Sequence, residues 1–529
     1  MGSKKLQVWL PLLLAGMMVV GMMIGYELKS KTSGRDFLKF NKKSNIQEVM
    51  DLVKAKYVDD IKFDSINQTV IEDVLAHLDP HSTYIPATEL TQVNEQLAGN
   101  FQGIGVEFQQ FDDTVNVTNV IKDGPSDKAG LLVGDKIIKA NDTAVLTGKT
   151  IKPDFIRKQL RGEAGTPVNV TVLRGKELKK ITIKRGNIPV PSIDAAYIIA
   201  PQTGYIRINK FGDRTYEEFM QSLEKLQKDS LNSLILDLRG NGGGLLSEAT
   251  AIADEFLSDD KLIVYTQGNN VPRYEYRCKR DGLFEKGKLV VLVDETSASA
   301  SEVLSGALQD WDRATIIGRR TFGKGLVQQQ FQLSDGGAVR LTIARYYTPL
   351  GRSVQKPYVN KSKHDYEAEL FNRFQDGEVV KVDSSLLKGK AYKTPKGHTV
   401  FGGGGITPDI FVPYDTSKLP KALLKMYYKN TLSNFVYRYY INNKNQFVGL
   451  SNANAFEKQF KPAENEWQAL GSYVAKDSIS LNGIDVKSKT DLLLRMKALL
   501  ARQLFRSEGY YQVLNNEDAI VKKAISVLK

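Results

Sequence analysis

Two short segments carry the residue types that serine-based hydrolysis requires. Ser299 lies in the small-residue run 294–302, after the apolar stretch 289–293 and before a helical pattern that begins at Glu302. This order predicts a strand, a sharp turn and a helix, which lifts the turn side chain clear of the backbone at a helix N-terminus. Unpaired N–H groups and the positive end of the helix dipole would stabilise an oxyanion there. Ser299 is therefore a candidate nucleophile.

A serine needs a base to accept its proton, and the usual base is histidine. None of the four histidines lies in the Gly-rich or Ser-rich segments. A lysine whose pKa is lowered by burial is the other established base. Lys324 fits, because its neighbours in Phe-Gly-Lys-Gly-Leu-Val are small or apolar and include no carboxylate. If a strand starts here, Gln328 shares a face with Lys324 and can hydrogen-bond the amine.

These segments resemble those of the C-terminal processing, or tail-specific, serine peptidases. The matching motifs, in the order of the family, are Ser297-Ala-Ser-Ala-Ser-Glu302, Thr321-Phe-Gly-Lys-Gly325 with Gln328, Asp237-Leu-Arg-Gly-Asn-Gly-Gly-Gly244 and Leu78-Asp-Pro-His-Ser82. The resemblance covers about residues 45–415. It implies a crotonase-like α/β core in which Ser299 is the nucleophile, Lys324 the general base and Gln328 its orienting partner.

The Gly-rich loop 240–244 follows a nearly continuous apolar run, 234–239, which predicts a buried parallel strand. The loop lacks the Gly-Lys-Ser/Thr ending of a phosphate-binding loop. We expect it to supply a second oxyanion donor, so that the backbone N–H groups of Ala300 and Gly243 form the oxyanion hole. Gly242 stands where relatives of the family commonly have proline.

Residues 98–187 resemble a PDZ domain, because Gly103-Ile-Gly-Val106 leads into an alternating strand and is followed by the expected helix and strand patterns. Such a domain binds a peptide tail as an added strand, with loop N–H groups receiving the terminal carboxylate. The expected tail-binding residues are Gly103, Ile104, Gly105 and Val106. A purely structural β-domain is the alternative. Arg161 is a candidate for coupling PDZ occupancy to the core, with an ordinary surface arginine as the alternative.

An uncharged apolar run over residues 8–26 is long enough to cross a bilayer. No Ala-x-Ala-like cleavage site follows it, so a retained signal anchor is favoured over a cleaved signal peptide. We therefore expect a single-pass protein of the bacterial inner membrane, anchored through this helix, with its catalytic part in the periplasm. The alternative is a periplasmic protein whose signal peptide has been cleaved.

The expected organisation is a multidomain α/β protein with a small β-rich PDZ domain inserted into its core. The predicted segments are a signal anchor or transmembrane helix (1–28), an N-terminal helical region (36–97), the PDZ domain (98–187), the protease core (188–414, with part of the core from the N-terminal region) and a C-terminal helical appendage of unknown role (415–529). A polar insertion at about residues 361–396 is expected to be a surface elaboration.

Composition excludes several other classes. The net charge of +13 comes from scattered lysines without a nucleic-acid-binding motif, so a solvated basic surface is favoured and no nucleic acid partner is expected. The single cysteine, Cys278, excludes an intramolecular disulfide framework. His81 has no acidic or cysteine partner at ligand spacing and is interpreted as a turn residue. No ATP or metal motif is recognisable, so neither a cofactor nor a metal is predicted.

The sequence thus predicts a serine-type endopeptidase that recognises C-terminal tails through its PDZ domain and cleaves with a Ser/Lys dyad, without ATP. Its expected partners are exported proteins or peptides with exposed tails, and a homo-oligomer or an adaptor protein stays open. One alternative is a catalytically silent PDZ scaffold, which would predict loss of the base. Another is a crotonase-type acyl-CoA enzyme, which would need neither a PDZ domain nor the Ser299–Lys324 pair.

Overall fold

The computed structural model of the protein describes residues 11, 14–23, 44–111, 113–148, 151–359, 361–381, 389–415 and 420–529. The chain forms two compact units, residues 1–71 and residues 72–529. After the helical residues 14–23, the described ranges contain α1 (Asn45–Lys56), α2 (Phe63–Ala76), β1 (Thr83–Ile85) and α3 (Ala87–Ala98). Helix α1 begins after Ser44, whose hydroxyl accepts a hydrogen bond from the Gln47 N–H group. These helices agree with the helical spacing of the sequence.

The predicted membrane anchor is wrong. Among the residues that the structure describes, no helix is both long and apolar enough to cross a membrane. Positions 8–10, 12–13 and 24–26 of the predicted span lie outside the described residues. The inner-membrane and periplasmic placement that was based on this span is not supported.

The chain after α3 forms a small β-rich domain. Its elements are β2 (Asn100–Gly103), β3 (Val106–Phe111), β4 (Thr114–Val120), α4 (Pro125–Lys128), β5 (Lys136–Ala140), β6 (Ala144–Val145), α5 (Pro153–Leu160), β7 (Pro167–Arg174), β8 (Glu177–Lys184) and β9 (Gly186–Pro189). The main sheet has the antiparallel order β3-β4-β5-β7-β8, with β6 paired to β5, while β2 pairs with β9. Strand β3 is therefore at one edge of the sheet. Alternating residues such as Val168, Val170 and Val172 fill its core.

The next segment builds the α/β core. Its elements are β10 (Ile193–Ala200), β11 (Thr203–Ile208), α6 (Thr215–Gln227), β12 (Ser233–Asp237), α7 (Leu246–Asp254), β13 (Leu262–Gln267), β14 (Tyr274–Arg277), β15 (Lys288–Val293), α8 (Ala300–Asp310), β16 (Thr315–Gly318), β17 (Leu326–Gln332), β18 (Ala338–Tyr347), α9 (Lys363–Gln375), β19 (Ala391–Lys393), β20 (Thr399–Phe401) and β21 (Ile410–Phe411). Six of these strands form the central sheet in the order β10-β11-β12-β15-β16-β21. The pairs from β11 to β21 are parallel.

Both faces of the central sheet are covered, which explains why its strands are almost continuously apolar. Leu234 and Leu236 of β12 face a cluster that includes residues of α6, α7 and α8. Ile235, between them, faces the opposite side with residues of the C-terminal helix such as Val521. The predicted buried parallel strand at residues 234–239 is confirmed.

A second sheet lies beside the central one and carries part of the site. Its order is β1-β18-β13-β14, with β17 paired to β18. The β17–β18 pair is an antiparallel hairpin that turns at Asp335-Gly-Gly337. Strand β1, which precedes the β-rich domain in sequence, pairs with β18, so the N-terminal region contributes to the core.

The C-terminal region consists of helices. They are α10 (Lys421–Tyr428), α11 (Thr431–Asn442), α12 (Ala453–Gln459), α13 (Glu464–Val474), α14 (Val486–Asn515) and α15 (Ala519–Leu528). Residues of α10 to α14 share a separate apolar cluster, as expected of an appendage. Helix α15 differs, because Ile520, Val521, Ala524 and Leu528 pack against the central sheet. It completes the core instead of extending from it.

Candidate active site

The predicted nucleophile occupies a strained turn between β15 and α8. Ser299 has φ 55° and ψ −113°, a conformation that residues with a β-carbon rarely adopt. Neighbouring contacts hold the turn: the Ser297 hydroxyl donates to the Leu238 carbonyl at 2.8 Å, and the Ala298 N–H group donates to the Asn241 carbonyl at 3.0 Å. This is the strand–turn–helix that the sequence predicts, and it presents the Ser299 side chain at the helix N-terminus.

A fully buried carboxylate connects this turn to the lysine loop. Glu302 Oε2 accepts hydrogen bonds from the Ser299 N–H group at 2.9 Å and from the Lys324 N–H group at 2.8 Å. Its Oε1 accepts from the Gly323 N–H group at 2.7 Å and from the Thr321 hydroxyl at 2.6 Å. Burial raises the pKa of Glu302, although these four donors oppose the shift. The Ser-x-x-Glu spacing of Ser299 and Glu302 is the sequence signal for the bond to the Ser299 N–H group, whereas no local pattern signals the bonds of Glu302 to the lysine loop.

A second side chain joins the same two residues through their carbonyl groups. The Tyr346 hydroxyl contacts the Ser299 carbonyl at 3.1 Å and also contacts the Lys324 carbonyl. Burial raises the pKa of Tyr346 well above its usual value, so the phenol stays protonated and able to donate. Tyr346 lies on β18, and no motif in the sequence distinguishes it from its neighbours.

The predicted base is partly buried and has no anionic partner. Lys324 Nζ donates to Gln328 Oε1 at 3.0 Å. Within the described ranges, no carboxylate lies within ion-pair distance of this amine. Burial lowers the pKa of Lys324, and the Arg340 guanidinium lowers it further, against weaker opposing effects of Asp79 and Glu302. Both effects favour the neutral amine that a general base requires.

The side-chain amide of Gln328 is oriented from its other end. Gln328 Nε2 donates to the His81 carbonyl at 2.6 Å, which leaves Oε1 to face Lys324. The Asp79 carboxylate fixes the turn around His81 by accepting from the His81 N–H group at 2.8 Å and from the Ser82 hydroxyl at 2.6 Å. The motif at residues 78–82 thus lies beside the predicted base. In the part of the chain that the structure describes, no group of three His, Cys, Asp or Glu residues could hold a metal ion.

The Gly-rich loop approaches Ser299 closely. A β-carbon on Gly243, which has φ 98°, would lie 2.7 Å from Ser299 Cβ, so only glycine fits there. The two predicted oxyanion donors differ in this arrangement. The Ala300 N–H group has no hydrogen-bond acceptor among the described residues, whereas the Gly243 N–H group donates to Asn241 Oδ1 at 2.9 Å. Nor does a hydrogen bond join the Ser299 hydroxyl to the Lys324 amine in the described chain.

The predicted tail-binding residues lie where β2 meets β3, the edge strand of the β-rich sheet. The Ile104 carbonyl accepts from the Ser126 N–H group at 3.0 Å and from its hydroxyl at 2.6 Å, which fixes the loop. Gly105 has φ 75°. Although Ile104 and Gly105 are buried, their N–H groups have no acceptor among the residues that the structure describes. The remaining two residues, Gly103 and Val106, end β2 and begin β3.

Arg161 connects the β-rich domain to helix α3. It directly follows α5, and its guanidinium forms an ion pair with Glu95 at 3.2 Å. The same guanidinium lies over the Phe101 ring, 4.6 Å from its centroid. Arg161 therefore contacts a helix outside its own domain, as a coupling residue requires.

The insertion after β18 lies at the surface, as predicted, but it also supports the lysine loop. Arg373 of α9 is 3% exposed. Its guanidinium donates to the carbonyls of Arg320, Thr321 and Phe322 at 3.3, 2.8 and 3.2 Å. A buried arginine in a polar helix gives no sequence signal that separates it from a solvated one.

Comparisons with known proteins agree with this architecture. The profile of Peptidase family S41 matches residues 202–367, and that of the PDZ domain matches residues 102–184. A family of unknown function (DUF8443) matches residues 422–506 in the C-terminal helices.

Individual relatives point to the same class. A carboxy-terminal-processing protease of Bartonella bacilliformis is 35% identical over 336 residues, which cover 62% of this chain and 76% of that protein. A probable CtpA-like serine protease of Staphylococcus epidermidis is 33% identical over 370 residues, 67% of this chain and 74% of that protein. Among solved structures, a photosystem II D1 C-terminal processing protease is 27% identical with a TM-score of 0.37, covering 70% of this chain and 86% of that one.

A peptidase core combined with a PDZ domain defines the class as a serine protease with a peptide-recognition module. The chain belongs to the carboxy-terminal-processing proteases of peptidase family S41. The predicted family, the enzyme class and the multidomain α/β fold with a PDZ domain and helical terminal regions are confirmed.

Proposed function

We propose that this protease cleaves peptide bonds with Ser299 as nucleophile and neutral Lys324 as general base, oriented by Gln328. Lys324 takes the hydroxyl proton while Ser299 Oγ bonds to the scissile carbonyl carbon. The tetrahedral intermediate collapses with cleavage of the C–N bond, and the lysine ammonium gives its proton to the leaving amine. Water then attacks the acyl-enzyme with the amine again acting as base. No step requires ATP.

One observation carries this assignment: Lys324 combines partial burial, no carboxylate partner among the described residues and a backbone tied to that of Ser299. An amine without a counter-ion loses its proton more readily in a partly dry site. The shared Glu302 carboxylate limits how far the nucleophile turn and the lysine loop can separate. The proposal requires that the Ser299 hydroxyl and the Lys324 amine come into hydrogen-bond contact within these limits.

For the oxyanion hole, we propose the N–H groups of Ala300 and Gly243. The first is free of acceptors within the described chain, and the second is held by Asn241 Oδ1. The developing oxyanion therefore has to share the Gly243 N–H group with Asn241 Oδ1 or displace that oxygen from it. A negatively charged acceptor forms the stronger hydrogen bond, which favours this exchange. On this proposal the arrangement described above is a resting one that substrate converts into the active one.

The proposed substrates are proteins with exposed C-terminal tails. The resemblance to the family suggests that exported proteins are among them. A tail would add to the free edge of β3, and its carboxylate would take the buried N–H groups of Ile104 and Gly105 as donors. Arg161 would transmit occupancy through its contacts with Glu95 and Phe101.

Hydrolysis of an unstructured protein with an apolar C-terminus tests the proposal, using wild type, Ser299→Ala and Lys324→Ala without nucleotide. We expect the wild type to cleave, and to cleave a C-terminally amidated copy more slowly. Both variants should lose activity by about 10⁴-fold or more. Equal cleavage by all three proteins would exclude the dyad, and equal cleavage of both substrates would exclude recognition of the terminal carboxylate.

A further inference from the structure

Helix α9 places Tyr366 against His81, in the turn that lies beside the predicted base. Tyr366 is 1% exposed, and its hydroxyl lies 3.0 Å from His81 Nε2. The two rings meet edge to face, with centroids 5.2 Å apart at 86°. The contact thus joins an element of the insertion to the turn at residues 78–82, far away in sequence.

The hydrogen bonds around this hydroxyl determine its direction. Gln355 Oε1 accepts from the Gly325 N–H group at 2.8 Å, so Gln355 Nε2 is the atom that donates to the Tyr366 hydroxyl at 3.2 Å. The Tyr366 hydroxyl accepts this bond through its oxygen, so its single proton is available to donate to His81 Nε2. Since burial and Lys324 lower the pKa of His81 to about 4, the neutral ring can accept it. The bonds together fix the ring of His81.

The backbone of His81 continues the connection to the amine. Its carbonyl accepts from Gln328 Nε2 at 2.6 Å, and Gln328 Oε1 accepts from Lys324 Nζ at 3.0 Å. An unbroken series of contacts therefore runs from Tyr366 through His81 and Gln328 to Lys324.

We propose that Tyr366 is a positioning residue for the general base. Its hydroxyl binds the His81 ring and so holds the His81 residue, whose carbonyl orients Gln328 toward the amine of Lys324. The inference depends on the proposed role of Lys324. Without the hydroxyl, the turn keeps its Asp79 contacts but loses its hold on the His81 ring. Gln328 then aims less accurately, and the amine spends more time in water, where it is more readily protonated.

Removing one hydroxyl leaves the charged side chains around the amine in place, although it takes a hydrogen bond from His81, whose pKa of about 4 lies below the ordinary range of a lysine. The titratable or charged groups that face Lys324 are Arg340 on β18, Asp79 and His81 in the turn, and Glu302 on α8. A change in the pH dependence of the reaction would therefore report the position of the lysine.

Tyr366→Phe tests this inference, because it keeps the ring and removes only the hydroxyl. We expect kcat to fall about tenfold with little change in KM. The acid limb of the pH profile of kcat/KM should move to higher pH. The matched control is Tyr392→Phe, which removes a hydroxyl that donates to the Gly351 carbonyl at 3.2 Å. This control should keep the wild-type profile.

A double-mutant cycle with Gln328→Ala separates positioning from general destabilisation. If Tyr366 acts through Gln328, adding Tyr366→Phe to Gln328→Ala costs little further activity. A loss that lowers the amplitude without moving the acid limb, or losses that multiply in the double variant, would overturn the inference. Because acid also destabilises the fold, the rates are divided by the folded fraction measured by circular dichroism at each pH, so that poor folding cannot mimic the expected shift. Activity that survives in Ser299→Ala would instead refute the proposed function.

Discussion

The backbone N–H groups of Ser299 and Lys324 donate to the same carboxylate oxygen, Glu302 Oε2, at 2.9 and 2.8 Å. The Tyr346 hydroxyl contacts the carbonyls of the same two residues. The nucleophile turn and the lysine loop are thus joined on both sides of the backbone. Such fixed relative placement of reacting groups is a large part of catalytic power.

Replacing the shared carboxylate tests this link. Both carboxylate oxygens of Glu302 accept hydrogen bonds, but the side chain of Glu302→Gln has only one acceptor oxygen. Its NH₂ group would face donors that it cannot accept from, so these buried donors lose their partner. We expect kcat to fall about 100-fold and the free energy of unfolding to fall by about 3 kcal/mol. The measurements are peptide hydrolysis and urea unfolding. Glu295→Gln is the control, because Glu295 is also buried but pairs with Arg319. Equal loss of kcat in both variants would contradict a specific role for Glu302.

Adjacent glycines distinguish the oxyanion assignment. A β-carbon at position 243 would collide with Ser299 Cβ and require an unfavourable φ, whereas at Gly242 it would meet nothing within 4 Å. Gly243→Ala should therefore lower kcat/KM at least 100-fold, and Gly242→Ala should keep most of the activity. The measurement is kcat/KM of both variants from steady-state kinetics. If Gly242→Ala were the more damaging change, the close approach of Gly243 to Ser299, on which its proposed role as oxyanion donor depends, would not be needed for activity.

The cation of Arg340 should affect the pH dependence of the reaction. Because Arg340 lowers the pKa of Lys324, its removal in Arg340→Gln leaves the lysine protonated to a higher pH. The acid limb of kcat/KM should consequently move upward, and Arg340→Lys should move it less. Arg345→Gln, on the same strand but exposed, serves as the control. An unchanged limb in Arg340→Gln would contradict this electrostatic effect.

His81 should make the fold sensitive to mild acid. Its folded-state pKa is lowered to about 4 from 6.5, so between these values the unfolded chain binds the proton and the folded chain does not. Stability should therefore fall as pH decreases through this window, by at most about 3 kcal/mol. Urea unfolding at pH 7 and pH 4.5 measures the loss. It should shrink in His81→Gln and persist in His364→Gln, whose exposed side chain lies on α9. An equal loss in all three proteins would assign the pH dependence to other groups.

The last helix should be needed for core stability. Val521 of α15 is fully buried against the central sheet. Val521→Asp places a charge there and should lower the free energy of unfolding by about 3 kcal/mol or more. Lys523→Asp changes an exposed position of the same helix and should have little effect. Similar unfolding midpoints for both variants would show that α15 is dispensable.

How far the sequence predicts the structure depends on whether a contact is local. The apolar run before Ser299 and the helical pattern after it predict β15, the turn and α8. The expected contact of Lys324 with Gln328 is present, but not through the regular strand on which it was predicted, because β17 begins at Leu326 and its register is irregular between Val327 and Gln328. The capping pattern at Glu302 predicts only its bond to Ser299. Its bonds to residues 321–324 arise from the packing of two loops, which local periodicity does not encode.

The same reason explains the remaining differences. Helix α9 looks like a polar surface helix, because burial of Arg373 and Tyr366 depends on carbonyls and rings supplied by distant segments. Helix α15 has an apolar face, but only the fold identifies the sheet that covers it. The predicted membrane span came from hydropathy alone, and the described helix does not bear it out.

The most direct test of the central claim is the rate at which a fluorophosphonate modifies Ser299, measured against pH in wild type and Lys324→Ala. Phosphonylation reports activation of the hydroxyl without requiring a bound tail or a leaving amine. We predict that the wild-type rate rises with a single midpoint below 10.5, the ordinary pKa of lysine, and that Lys324→Ala reacts at least 100-fold more slowly. Equal rates in the two proteins across the pH range would contradict activation of Ser299 by Lys324.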